Sequence, residues 1–171
     1  MKFMNIRKEK PTDIEKIWNI NAEAFETNAE ANLVNALRNS GIPFLSLVYE
    51  ENHDLVGHIL FTPVELVGDT SGIRVTGLAP MAVVPSLQKK GVGSSLVKAG
   101  IQECISEGYD AIVVLGHPNY YPKFGFRPSV DYGIKSEYEV PDDVFMVLEL
   151  KKNSLNRIKG TVKYHATFGS V

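Results

Sequence analysis

An apolar strand that leads through a short glycine-bearing turn into a helix most constrains how this chain folds. Met81–Pro85 is typical of the end of a strand, and Gln88–Gly93 supplies the turn and the start of a helix. Backbone amides at a helix N-terminus carry partial positive charge and bind phosphate oxygens where no side chain obstructs them. Gly91 and Gly93 leave that approach open. Two lysines and two serines add charge and hydrogen-bond donors: Lys89, Lys90, Ser94 and Ser95.

Two common phosphate-binding patterns are not met at this turn. A P-loop requires G-x-x-x-x-G-K-[ST], which does not occur around Gly91, and a dinucleotide fingerprint requires a third glycine after Gly93. The pattern [Q/R]-x-x-G-x-[G/A] is met by Gln88–Gly93. Together with the preceding Met81–Pro85, it resembles the acetyl-CoA loop of the GNAT N-acetyltransferase superfamily.

A second motif follows about thirty residues later. Tyr121–Phe126 resembles the Y-x-K-x-G-F signature of the same superfamily, and the order and spacing of the two motifs also match. The longer run Leu115–Phe126 is similar to a bacterial subgroup of predicted N-acetyltransferases. The resemblance spans nearly the whole chain.

The hydrophobic pattern predicts a mixed α/β (α+β) fold. A capping box of Thr12 and Glu15 predicts the start of the first helix. Further helices are predicted at Glu30–Asn39 and Lys90–Glu107, and strands at Phe3–Arg7, Phe44–Tyr49, Leu55–Val67, Ile73–Val84, Ala111–Leu115 and Val144–Leu150, of which the second and third form a hairpin. The resemblance implies a mostly antiparallel sheet flanked by helices, whose parallel fourth and fifth strands splay to admit the pantetheine arm.

The length predicts one domain. A chain of 171 residues with 44% hydrophobic content buries a substantial core, which we place at about residues 3–150. The extension 151–171 is expected to pack on that core and to contain a strand within Gly160–Phe168. A sheet edge near the C-terminus makes a homodimer plausible.

Charge and composition narrow the class of function. A net charge of −2 argues against a nucleic-acid binder, and no stretch approaches membrane-spanning length or forms a signal peptide. The lone Cys104 fits a reducing, cytoplasmic location, and its helical spacing predicts a small core residue rather than a nucleophile. No spacing of His, Cys, Asp and Glu indicates a metal site, so no metal is expected.

The resemblance implies roles for individual residues. The backbone of Met81, Ala82 and Val83 is expected to hold the pantetheine and the thioester carbonyl, and Asn119 is a further candidate contact with CoA. Tyr121 matches the general-acid position, where a phenol stays protonated at neutral pH and donates to the departing thiolate. The pyrophosphate is expected to bind the turn and first helical residues: Gln88, Lys89, Lys90, Gly91, Val92, Gly93 and Ser94.

The general base stays open. Many relatives place a glutamate on or near the fourth strand, whereas Ile73–Val84 contains no carboxylate. The candidates are Glu23, Glu26, Glu65, His117 or a water molecule. His53 and His58 are expected to be solvated or structural.

These features predict an acetyl-CoA-dependent N-acetyltransferase that moves an acetyl group directly to a primary amine. The acceptor, a small molecule or a protein N-terminus, is not identified, because acceptor choice lies in loops around Phe25–Asn39 and in the C-terminal third. The acyl-chain preference also stays open. One alternative is a noncatalytic acyl-CoA-binding regulatory module, which the missing glutamate favours and the retained Tyr121 opposes. A weaker alternative is a protein that binds ATP or NAD.

Overall fold

The computed structural model describes residues 3–169. In this part of the chain it has three α-helices, α1 (Ile14–Ala24), α2 (Ala29–Asn39) and α3 (Val92–Ser106). It has nine strands: β1 (Met4–Lys8), β2 (Leu45–Glu51), β3 (Asp54–Val67), β4 (Val75–Val83), β5 (Ala111–Leu115), β6 (Arg127–Pro128), β7 (Ile134–Ser136), β8 (Phe145–Glu149) and β9 (Gly160–Lys163). Short 3-10 helices occupy Pro11–Asp13, Pro85–Leu87, Tyr121–Phe124, Ser129–Tyr132 and Ala166–Gly169.

The chain forms two compact units. The first contains residues 3–62, 79–100 and 166–169, and the second contains Pro63–Leu78 and Ile101–His165. The boundaries fall inside β3, β4 and α3, so each of these elements continues from one unit into the other. The single-domain organisation stays a prediction.

The first unit is built on antiparallel strands. β1 pairs with β2, and β2 forms the predicted hairpin with β3. The hairpin runs from Leu45 opposite Phe61 to Glu51 opposite Asp54, with a shift in register between Tyr49 and Glu50. Apolar side chains of α1 and α2 recur at helical spacing and pack against this hairpin. They form a buried cluster with it: Ile17, Leu33, Val34, Leu37, Val48 and Leu60.

Close packing fixes α3 against the hairpin within the same unit. A Cβ atom added at Gly57 would lie 2.9 Å from side-chain atoms of Val92 and Leu96, so only glycine lets the helix approach here. Gly100 similarly accommodates the buried ring of Phe61. These contacts hold the helix start close to the strands.

The second unit contains the parallel strand pair. Val75–Gly77 of β4 pairs with Ala111–Val113 of β5. β8 lies antiparallel to β5, and the short β6 pairs with β8. β9 pairs antiparallel with the end of β3 and parallel with β7. The sheet is therefore mixed and mostly antiparallel, with parallel fourth and fifth strands, which confirms the predicted fold class.

The predicted elements are confirmed with small shifts at their ends, but the predicted cap of the first helix is wrong. Thr12 and Glu15 do not cap the first helix. Asp13 is the N-cap residue instead, and its carboxylate accepts hydrogen bonds at 2.7 Å from the Lys10 amide and from Arg7 Nη1. The C-terminal strand ends at Lys163, and Ala166–Gly169 forms a 3-10 helix. β6 and β7 were not predicted from the sequence.

No helix within residues 3–169 combines the length and the apolar character that crossing a membrane requires.

Candidate functional site

The end of β4 leads into a turn that is held by its own hydrogen bonds. Val83 is the last strand residue, and the 3-10 helix Pro85–Leu87 follows. The Leu87 amide donates to the Val84 carbonyl at 2.9 Å. The side-chain amide of Gln88 donates to the Val83 carbonyl at 3.0 Å, which closes the turn back on the strand. The Gln88 side chain therefore has a structural partner within the predicted site.

Two residues of the turn before α3 have left-handed backbone conformations. Lys89 has φ +62° and Gly91 has φ +91°, a region that glycine occupies at little cost. The Ser95 amide donates to the Gly91 carbonyl at 3.0 Å and closes the first turn of the helix. Amides before that turn lack an intrahelical acceptor and point out of the helix end. No atom lies within 4 Å of a Cβ built on Gly91, so the approach to these amides is open.

The predicted pyrophosphate residues differ in exposure. Gln88, Lys89, Lys90 and Gly91 are exposed, Gly93 and Ser94 are half-buried, and Val92 is buried. Two exposed lysine side chains thus accompany the open helix end and favour an anion there. On β4, Ala82 is buried, whereas Met81 and Val83 are half-buried. The structure brings all ten of these predicted residues, Met81–Val83 and Gln88–Ser94, into one stretch of the first unit.

Tyr121 lies in the second unit, in the 3-10 helix Tyr121–Phe124. Its side chain is only 8% exposed. The ring packs edge-on against Tyr120, at 5.0 Å between centroids, and against Phe126, at 5.5 Å. Gly125 ends the 3-10 helix with φ +102°. The Y-x-K-x-G-F motif therefore builds an aromatic cluster around Tyr121.

The environment of Tyr121 keeps its phenol protonated. Burial, and then the neighbouring Tyr120, raises the pKa of Tyr121 to about 12. The structure gives its hydroxyl no hydrogen bond to any described residue. A neutral phenol whose proton is not engaged is a suitable hydrogen-bond donor for a developing thiolate.

Gly116 positions Tyr121 and was missed by the sequence analysis. A Cβ atom at Gly116 would lie 2.7 Å from Cδ2 of the Tyr121 ring and closer still to Cε2. Only glycine therefore allows the ring to lie against the backbone after β5. The available signal was a glycine directly after a buried apolar strand and five residues before the tyrosine.

Asn119 and His117 lie in the turn before Tyr121. Both are exposed. The His117 carbonyl accepts hydrogen bonds from the amides of Tyr120, at 3.1 Å, and Tyr121, at 3.4 Å. These bonds shape the turn, while the side chains of Asn119 and His117 remain accessible from solvent.

The candidate general bases are spread over both units. Glu23 and Glu26 lie at and just after the end of α1 and are exposed. Glu65 is exposed on β3, opposite Lys163 in the β3–β9 register. Glu30, which the sequence analysis did not consider, lies in the first turn of α2, and its Oε2 is buried without a hydrogen-bond partner among the described residues.

His58 is structural, as predicted. It is fully buried on β3, with Nδ1 3.1 Å from Asn21 Nδ2 and Nε2 3.0 Å from Ser46 Oγ. The Asn21 amide nitrogen can only donate, so Nδ1 accepts and Nε2 carries the proton. Burial, and then the Arg38 charge, lowers the pKa of His58 to about 3, so the imidazole is neutral.

Cys104 and His53 are two further residues considered in the sequence. Cys104 is buried, and burial, followed by the charges of Glu107 and Glu103, raises the pKa of its thiol to about 12. A protonated buried thiol is not a nucleophile. His53 is exposed and stacks on Phe3 at 5.4 Å. Residues 3–169 contain no group of three or more His, Cys, Asp or Glu placed to hold a metal ion.

Comparison with known proteins identifies relatives that cover most of the chain. The model of the Acetyltransferase (GNAT) family matches residues 8–126. The Escherichia coli (strain K12) protein named Uncharacterized N-acetyltransferase YhbS is 33% identical over 166 residues, 96% of this chain and 98% of that protein. The Escherichia coli (strain K12) Uncharacterized N-acetyltransferase YjhQ is 37% identical over 135 residues, 77% of this chain and 75% of that protein.

Two solved structures are similar along nearly their full length. The crystal structure of YhbS from Escherichia coli in complex with CoA has a TM-score of 0.90 and 32% identity, covering 97% of this chain and 92% of that one. A GNAT family acetyltransferase from Brucella melitensis in complex with acetyl-CoA has a TM-score of 0.79 and 32% identity, covering 97% and 98% of the two chains.

Proposed function

Because this chain belongs to the GNAT acetyltransferase family and is an N-acetyltransferase, we propose that it transfers an acetyl group from acetyl-CoA directly to a primary amine. The observation that carries the proposal is the turn before α3, where Gly91 at φ +91° leaves the helix end open to an anion. The bound CoA and acetyl-CoA of the two similar structures support this choice of donor. The acceptor amine is not yet identified.

We assign the proposed contacts with acetyl-CoA to individual residues. The backbone of Met81, Ala82 and Val83 would bind the pantetheine and the thioester carbonyl. Gln88–Ser94 would bind the pyrophosphate through outward amides and the charges of Lys89 and Lys90. Asn119 would add a side-chain contact. Since most of these contacts use the backbone, they depend on turn geometry more than on side-chain identity.

The proposed reaction is a direct transfer. The neutral amine attacks the acetyl carbonyl carbon, a C–N bond forms, and a tetrahedral oxyanion develops. The C–S bond then breaks, and CoA leaves as a thiolate that accepts a proton. The attacking nitrogen loses its proton to a base, for which Glu23, Glu26, Glu65, His117 and water are still open. No acyl-enzyme is required.

Tyr121 is the proposed proton donor to the thiolate. A phenol with a pKa of about 12 stays protonated at neutral pH, so it begins each cycle with the proton that the thiolate needs. Tyr121 is therefore suited to stabilise the thiolate by hydrogen bonding as the C–S bond breaks.

A noncatalytic acyl-CoA-binding module is the second candidate. β4 contains no carboxylate, and this observation favours it. The buried and protonated Tyr121, which a simple binding module would not need, counts against it.

Calorimetric titration with acetyl-CoA, followed by thiol release against a panel of amines, tests both candidates. Acetyl-CoA binding with amine-dependent thiol release supports the transferase. Binding without release from any amine favours the binding module. Tighter binding of ATP or NAD than of CoA would refute the assignment of the turn.

We also propose a cytoplasmic location, since the one cysteine of the chain is a free thiol.

A further inference from the structure

α1 crosses the first unit from the edge of its sheet towards the middle. β1 is the edge strand, and β2, β3 and β4 follow it in that order. The Asp13 carboxylate at the start of α1 accepts a hydrogen bond at 2.7 Å from Arg7 on β1. Two turns later, Nδ2 of Asn21 lies 3.1 Å from Nδ1 of His58 on β3. α1 therefore passes over β2 and reaches β3 at Asn21.

α2 runs across the same strands and brings Glu30 to the inner end of the helix pair. Arg38, in the last turn of α2, binds the carboxylate of Glu9, just after β1, at 3.0 Å. Val34, one turn earlier, belongs to the buried cluster that contains Leu60 of β3. Glu30 lies one further turn before Val34, on the same face of the helix. Four residues of helix span about 6 Å, slightly more than the ~4.8 Å between neighbouring strands, so Glu30 lies beyond β3 towards β4.

The contact between the two helices supports this placement. α1 and α2 are joined by a short connection and run antiparallel. Nε1 of Trp18 donates to Oδ1 of Asn32 at 3.1 Å, which fixes the level of one helix against the other. Asn21 is about 4.5 Å further along α1 than Trp18, and Glu30 is about 3 Å back along α2 from Asn32. Asn21 and Glu30 therefore lie at nearly the same level of the helix pair.

The end of β4 lies beside the residues that these helices reach. The Val84 amide, directly after β4, donates to the Val56 carbonyl on β3 at 2.9 Å. Val56 is two residues from His58, which Asn21 contacts. The end of β4, where we place the thioester, and the inner end of the helix pair are thus neighbours within the first unit.

Two hydrogen-bond acceptors at this inner end have no donor among the described residues. Asn21 is fully buried, and its Nδ2 is engaged by the Ile17 carbonyl and by His58, whereas its Oδ1 has no partner. Oε2 of Glu30 is likewise buried without a partner. Removing a carboxylate oxygen from water without a hydrogen bond costs free energy, so such an atom calls for a donor. A ligand that brings N–H groups supplies one.

Glu30 differs in this respect from the other glutamates of the two helices and their connection. Glu15, Glu23 and Glu26 are exposed, whereas Glu30 is half-buried and lies on the inward face of α2. β4 itself contains no carboxylate. Glu30 therefore brings to the end of β4 the acidic side chain that the strand lacks.

We propose that Glu30 is the general base, whose carboxylate takes the proton of the attacking amine through Oε2. This inference rests on the proposed function. As the amine nitrogen bonds to the acetyl carbon it becomes positively charged, and one N–H proton passes to Glu30. Glu30 releases this proton to solvent when the amide leaves. The CoA thiolate is protonated by the donor proposed above, which regains its proton from solvent, so the reaction consumes no net proton.

The test compares Glu30→Gln with Glu15→Gln, a matched change at an exposed glutamate in the first turn of α1. Thiol release from acetyl-CoA is measured with the primary amine that the unmodified protein turns over fastest in a panel. Acetyl-CoA affinity is measured by calorimetry and Tm by thermal denaturation. Glu30→Ala is assayed with and without added formate, a small carboxylate that fits the space left by the side chain.

Glu30→Gln should lower kcat by about 10²- to 10⁴-fold and leave acetyl-CoA affinity unchanged. Its Tm should not fall, because Oε2 has no hydrogen bond to a described residue that the change would remove. Formate should restore part of the turnover of Glu30→Ala and should not speed the unmodified protein. Glu15→Gln should match the unmodified protein in all these measurements.

Equal turnover in Glu30→Gln and Glu15→Gln would overturn the assignment of Glu30. A loss of turnover that comes with a lower Tm, and with no response of Glu30→Ala to formate, would show a structural role and overturn it too. If the unmodified protein binds acetyl-CoA but releases no thiol with any amine, the transferase itself is refuted, and the base with it.

Discussion

Replacing Gly116 with alanine tests how Tyr121 is held. The new Cβ atom would lie 2.7 Å from Cδ2 and 3.3 Å from Cζ of the Tyr121 ring. Because carbon atoms in contact lie about 3.5–4.0 Å apart, the ring must move by about 1 Å. The ring is buried and packs against Tyr120 and Phe126, so neighbouring side chains must move with it. Overpacking of this kind costs about 1–3 kcal/mol.

Gly116→Ala should therefore lower both stability and turnover. A loss of about 2 kcal/mol corresponds to a fall in Tm of roughly 4–8 °C for a chain of this size, measured by thermal denaturation. Displacement of a catalytic group by about 1 Å lowers kcat by about 10²-fold, measured by thiol release. Tyr121→Phe keeps the ring and removes the hydroxyl, which has no described partner. It should lower kcat by about 10²-fold or more with little change in Tm.

Gly169→Ala is the matched control for the glycine substitution. No atom lies within 4 Å of a Cβ at Gly169, so the same change there should leave Tm and kcat unaltered. A Tm for Gly116→Ala equal to that of the unmodified protein would refute the placement of the Tyr121 ring. Full turnover in Tyr121→Phe would remove the assignment of Tyr121 as proton donor, even if Gly116→Ala is unstable.

Three further perturbations test other parts of the molecule. Gly91→Ala and Gly41→Ala both place alanine at a positive φ in open space, so both should lose about 1 kcal/mol of stability. Calorimetry should show weaker CoA binding, by roughly tenfold, only for Gly91→Ala. Equal CoA affinities of the two variants would contradict the pyrophosphate assignment. His58 has a pKa of about 3 in the folded protein against 6.5 in the unfolded chain, so it is neutral when folded. Its contribution to the free energy of unfolding is therefore complete above pH 6.5 and is lost as the pH falls towards 3. Urea unfolding should show a loss of about 1 kcal/mol per pH unit below pH 6, and an imidazole NMR titration near the ordinary pKa would contradict this. Gly100→Ala should lower Tm, because the new Cβ atom overpacks against the Phe61 ring. Adding Phe61→Leu should restore part of this loss. Additive losses of stability in the double variant would argue against the contact between the two residues.

Local patterns were sufficient to predict most of the fold. Ala111–Leu115 was predicted with the bounds that β5 has, because a continuous apolar run between turn residues suits a strand buried on both faces. The polar turn before β3 predicted the hairpin, which the structure confirms. In these segments the residues that decide the structure lie within a few positions of one another, so a single sequence is informative.

The prediction of the first helix cap failed because a distant residue decides it. Thr12 and Glu15 fit the capping-box pattern, yet Asp13 occupies the N-cap position. The Arg7 guanidinium on β1 binds the Asp13 carboxylate at 2.7 Å and is the largest cause that lowers the pKa of that carboxyl group. An ion pair between a strand and a helix start therefore outweighs a local pattern that has no tertiary partner.

The sequence did not predict β6 and β7, and the reason is related. They contain two and three residues, too few for an alternating pattern to show. Each exists because a partner strand, β8 for β6 and β9 for β7, supplies its hydrogen bonds. Their pairing depends on where the chain returns rather than on their own residues.

The same distinction applies to contacts within the two units. A phosphate-bearing ligand that is bound by backbone amides requires glycine at particular turn positions, and this requirement leaves a contiguous pattern such as Gln88–Gly93 in the sequence. Tyr164 contacts Gly77, Glu137 and Tyr138, which have no fixed spacing in the sequence, so only the folded chain brings these residues together. A site held by backbone amides is therefore visible in a single sequence, whereas contacts between distant segments are not.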